Sequence, residues 1–76
     1  MGRNTDVARA ESQGQAAAAT LLLDDEQTAA LRELGFTDEW LAEVGLAVEL
    51  PENPYMDRRL AAVWEKAFIE AMRDRV

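Results

Sequence analysis

The sequence predicts an all-α fold, and three observations carry that reading. Near the carboxyl end, Leu60, Val63, Trp64, Ala67, Phe68, Ala71 and Met72 recur by threes and fours, the spacing of one helix face. Between residues 24 and 45 a pattern of acidic cap, apolar face and glycine stop occurs twice. The stretch VARAESQGQAAAATLL is rich in alanine and other good helix formers.

The elements follow in order. Asn4 and Thr5 are capping residue types and Asp6 suits a first turn, which predicts a first helix over about 6–22. Gly14 inside it costs about 1 kcal/mol relative to alanine, so it is tolerated where another backbone comes close, where the helix bends, or as a harmless flaw in a frayed end. Asp24 and Asp25 then cap a second helix over about 25–34, with Glu26 in its first turn, Ala29, Ala30, Leu31 and Leu34 turned inward, and Gly35 as a left-handed stop. Thr37 opens a short third helix, DEWLAEVG, whose Trp40, Leu41 and Val44 share a face and whose close is Gly45. LAVELPENPY alternates weakly and holds two prolines, so it reads as a connector or a brief extended piece. Asn53 as cap and Pro54 at the first helical position predict a last helix over about 54–74.

Charge divides the chain into the same blocks. The net charge is −7 over 76 residues, yet residues 24–52 alone hold nine carboxylates against Arg32, a net of −8. Residues 1–23 balance to zero, and 53–76 sum to +1. The acidity is thus a module between two nearly neutral segments, within a single domain over 1–76. Part of it has an ordinary cause, since carboxylates stabilise helix amino-terminal ends.

Composition also excludes chemistry. Without cysteine or histidine there is no disulfide, thiolate nucleophile, imidazole base or ordinary zinc site. Asp24, Asp25 and Glu26 are adjacent rather than alternating around a glycine, so they do not form a calcium loop. No glycine-rich phosphate loop is present and no acid–base pair is evident, so neither a catalytic residue nor a cofactor is expected. The longest apolar run, AAAATLLL at 16–23, is far short of the roughly 20 residues of a membrane span. A non-enzymatic cytoplasmic protein without membrane contact is the expectation.

NPYMDRRLAAVWEKAFIEAMRDRV resembles the carboxyl-terminal half of ribosome modulation factor, a family of small bacterial proteins of ribosome hibernation. The likeness lies in Pro54-Tyr55, in Trp64 ten residues after the proline, in Phe68 four further on, and in the run EAMRDRV. A fainter echo of that family's first helix lies at Arg9, Ala10, Gly14 and Ala17. Departures are Ala67 where the family has glycine, Asn53 where well-known members carry cysteine, and the acidic module where the family has a short basic connection. The resemblance implies two longer helices packed as a small helical hairpin, here with an inserted acidic helix pair. It also implies binding to the small ribosomal subunit, near the 3′ end of its RNA.

Residue by residue, Arg59, Lys66 and Arg73 fall seven apart on the outer face of the last helix, about 10 Å between neighbours. With Arg58 they form a basic line suited to phosphates, and Tyr55 at its mouth suits stacking on an unpaired base. The ordinary alternative is a solvated face, or pairing with the acidic module. Asp38, Glu39 and Glu43 are candidates to meet a basic protein partner. Ile69, which lies opposite the stripe with no core to face, is a candidate centre for the same contact. Two functions follow: a hibernation-factor-like modulator of translation binding ribosomal RNA or protein, or an acidic inhibitor or adaptor, bacterial or phage-encoded, acting on a nucleic-acid-handling partner. A homo-oligomer is compatible with either.

Overall fold

A computed structural model describes residues 2–45 and 48–75, with side chains from residue 5 onward. Four helices account for the regular structure: α1 (Gly2–Thr20), α2 (Asp25–Leu34), α3 (Asp38–Glu43) and α4 (Arg58–Asp74). The all-α class is as the sequence predicts. Leu46 and Ala47, the start of the expected connector, lie outside the described residues.

The caps explain most of the boundaries. Asp24 and Gln27 form a reciprocal capping box, in which the Gln27 N–H donates to Asp24 Oδ1 at 2.7 Å and the Asp24 N–H to Gln27 Oε1 at 3.0 Å. Gly35 has φ +72°, ψ −178°, and its N–H closes α2 on the Leu31 carbonyl at 2.8 Å. Its φ is the positive one expected, but ψ is extended rather than left-handed helical, which sends the chain straight into α3. Thr37 caps α3 by accepting from the Trp40 N–H at 3.4 Å.

Three details differ from expectation. Helix α1 starts at Gly2, which puts Asn4 and Thr5 inside its first turns. It ends at Thr20, where the carbonyls of Ala18 and Leu21 accept from Arg75 Nη1 at 2.7 and 2.8 Å. Ala29 is exposed, because it lies about 200° around the helix from buried Leu31. Helix α4 starts at Arg58 rather than at Pro54, because Asp57 is the cap and its Oδ1 accepts from the N–H groups of Arg59 and Leu60 at 2.8 and 3.2 Å. Asn53 is engaged elsewhere: it accepts from the Tyr55 N–H at 3.1 Å, and its Nδ2 donates to the Ala61 carbonyl at 2.9 Å.

Helices α1 and α4 make the principal contact. Ala10, Gly14 and Ala18, one turn apart on α1, meet the buried Trp64, Ala67, Phe68 and Met72 of α4, as the apolar spacing predicts. The pairing direction is not that of a hairpin. Asp6 and Val7 neighbour Asp57–Leu60, Gly14 meets Trp64 and Phe68, and Ala19 lies beside Ala71 and Arg75, so the helices run parallel. The connection makes this feasible: Leu50 and Pro51 lie by the end of α1, Tyr55 reaches Gln13, and Asp57 reaches Asp6. That extended stretch runs back along α1 and delivers α4 to its starting end. At about 3.3 Å per residue the stretch from Leu50 to Asp57 reaches about 23 Å, just enough for the roughly 21 Å of α1 between Thr20 and Asp6.

The acidic pair packs on α4 through an aromatic chain. Trp64 and Phe68 stack with centroids 5.3 Å apart and planes 3° apart, Phe68 meets Phe36 edge-on at 5.9 Å, and Phe36 meets Trp40 at 5.5 Å. Such pairs contribute about 0.5–1.5 kcal/mol each beyond the area they bury. Trp40 is fully buried, and its Nε1–H donates to the Gln27 carbonyl at 3.1 Å, which fixes α3 on α2.

Candidate functional site

The outer face of α4 carries the cations. Arg58, Arg59, Lys66 and Arg73 are all exposed, and Arg59, Lys66 and Arg73 fall on one helix about 10 Å apart in succession. Carboxylates are interleaved with them at Glu65 and Glu70, so the line is not uniformly positive.

Arg58 and Arg59 stand where a helix disfavours them. They fill the first turn of α4, which holds no acidic residue, at the positive end of its dipole. Because α1 runs parallel to α4, the amino-terminal ends of both long helices lie at the same end of the molecule. Asp6 and Asp57 are the carboxylates beside them. Two cations and two carboxylates thus gather at one end of the molecule.

Tyr55 is placed differently from the stacking role predicted for it. The ring is half-buried against the core, and the hydroxyl donates to Gln13 Oε1 of α1. A tyrosine joins an apolar body to a polar tip, and both are occupied here. It fastens the extended stretch to α1 rather than offering a free face to a base.

Ile69 also differs from the isolated, coreless residue expected. It is half-buried and packs against the core cluster, because the acidic module covers the side of α4 that α1 leaves open. With Phe36, Leu41, Trp64 and Phe68 it lines a shallow groove of about 540 Å3 between α3 and α4. Asp38 and Glu65 stand on its rim and Arg73 at its edge. Glu39 and Glu43 are exposed on α3. Of the predicted contact residues, Asp38, Ile69 and Arg73 are therefore brought together, whereas Arg58 and Arg59 lie at the opposite end of α4.

Two residues with clear roles went unpredicted. Arg75 ties the last turn of α4 to the end of α1, and nothing local in the sequence indicates that a terminal arginine should reach carbonyls 54 and 57 residues away. Gln27 completes the box with Asp24, and the Asp-x-x-Gln spacing does signal it. Among the described residues no helix is long and apolar enough to cross a membrane, and no three carboxylates gather as a cation site requires.

In comparisons with known proteins, the chain matches no family model, no curated protein and no solved structure.

Proposed function

We propose that this chain is a non-catalytic, ribosome-associated modulator of translation, acting in the cytoplasm on the small ribosomal subunit in the manner of the hibernation factors it resembles. One observation carries the reading. The two stretches similar to that family, which lie about forty residues apart along the chain, pack on each other at the residues that make the likeness: Gly14 against Trp64 and Phe68, with Ala10 fully buried beside them. A scaffold held together by those residues leaves the cations of α4 pointing outward.

In this reading Arg58 and Arg59 meet phosphates at the paired helix starts, and Lys66 and Arg73 continue the contact along α4. The acidic module turns the opposite charge toward ribosomal protein. Phosphate contacts release condensed counterions, so affinity falls steeply with salt in proportion to their number. Changing Arg59, Lys66 and Arg73 together to glutamine should weaken binding to purified small subunits and flatten its salt dependence. Unchanged affinity and slope in that variant would refute the assignment of these cations.

A further inference from the structure

A groove open to solvent lies between α3 and α4 and is lined from both helices. We propose that it docks a positively charged amphipathic segment of a protein partner, with apolar side chains in the groove and cations against its acidic rim. It is a second surface, apart from Arg58 and Arg59 at the start of α4, and it shares only Arg73 with the line of cations.

The floor is apolar and aromatic: Phe36, Leu41, Trp64, Phe68 and Ile69. Leu50, an exposed large apolar residue at 38% accessibility, continues it at one end. A groove of about 540 Å3 falls in the size range of sites that take several apolar groups. Because it is open to solvent rather than enclosed, it suits a chain segment laid against it, as grooves that accept amphipathic helices do.

Charge selects the occupant. Asp38 and Glu65 stand on the rim, and Glu39, Glu43, Glu49 and Glu52 are exposed on the same module, whose net charge is −8. That field attracts a cationic peptide, raising its rate of encounter and setting its register. Arg73 adds direction. It lies eight residues beyond Glu65 on α4 with Ile69 midway, so the two opposite charges flank an apolar centre about 12 Å apart along the helix. A complementary helix would place lysine or arginine near Glu65 and, two turns along, a carboxylate near Arg73.

The test uses the purified full chain and a fluorescein-labelled leucine–lysine amphipathic peptide. Its leucine–glutamate counterpart and a short single-stranded RNA serve as competitors. The lysine peptide should bind, and its amide-shift footprint on the wild-type protein should centre on Phe36, Leu41, Trp64 and Ile69. Asp38→Lys and Ile69→Ser should each weaken binding about tenfold. Glu11→Lys, the same charge change on α1, should leave it within about twofold of wild type. A footprint elsewhere, an equal loss in Glu11→Lys and Asp38→Lys, competition by the glutamate peptide, or competition by the RNA in the Arg73→Gln variant would each overturn the proposal. Shift mapping on the unaltered protein keeps the test valid if Ile69→Ser proves unstable.

Discussion

Gly14 lies directly against the carbonyl of Trp64. A Cβ at residue 14 would overlap that oxygen, and would stand 3.1 Å from the Ala67 Cβ and 3.2 Å from the Phe68 nitrogen. Two of these neighbours are backbone, which cannot swing aside, so the helices approach as closely as they do only because residue 14 has no side chain. Gly14→Ala gains up to about 1 kcal/mol of helix propensity, whereas forcing an atom into a packed contact costs about 1–3 kcal/mol. The packing term outweighs propensity where backbone is the obstacle. The expected outcome is a lower thermal midpoint with helix content retained, measured by circular dichroism, and Gly14→Leu should be worse. A higher midpoint for Gly14→Ala would contradict this packing.

The cap of α4 allows a second test. Asp57 accepts from two backbone N–H groups, whereas the Asn53 side chain spans the entry to the helix through Tyr55 and Ala61. Removing a capping side chain costs about 1 kcal/mol, which for a domain of this size lowers the midpoint by about 4–8 °C. Asp57→Ala should show that loss, and Asp57→Asn should recover most of it. An unchanged midpoint in Asp57→Ala would move the helix start back toward Pro54.

Arg75 provides a third. Its guanidinium donates to the carbonyls of Ala18 and Leu21, joining the carboxyl-terminal ends of the parallel helices. A charged donor on two carbonyls beyond the reach of helix bonding is worth about 1 kcal/mol at a solvent-accessible site. Arg75→Gln should therefore destabilise the chain and speed amide exchange at the end of α1. Arg75→Lys should be intermediate, since an ammonium lacks the planar fork. Arg73→Gln, two residues earlier, should leave the midpoint unchanged.

These residues show what local pattern can and cannot reveal. The inward stripe of α4 and the caps at Asp24 and Thr37 are local, set by a few neighbouring side chains, and all were legible. Gly14 was legible as an anomaly, but a close backbone, a bend and a frayed end all stayed open as its cause until the Trp64 carbonyl decided between them. Asn53 and Asp57 are both capping types, and the decision between them rests on Ala61 and Tyr55, one of them within the helix being decided. The parallel direction depends on how far the stretch before α4 returns along α1, a property of tertiary packing. Ile69 was misplaced for the same reason: Phe36 and Leu41, which are distant in sequence, line the groove beside its face of α4. Tyr55 owes its changed role to Gln13, 42 residues away.

The central claim is association with the ribosome through the exposed cations of α4. The most direct measurement is sucrose-gradient sedimentation of the tagged chain from cells in growth and in stationary phase, with the Arg59, Lys66 and Arg73 to glutamine variant alongside. The wild-type chain should migrate with particles containing the small subunit, and the folded variant should shift to the top of the gradient. A wild-type chain found only at the top in both phases would contradict it.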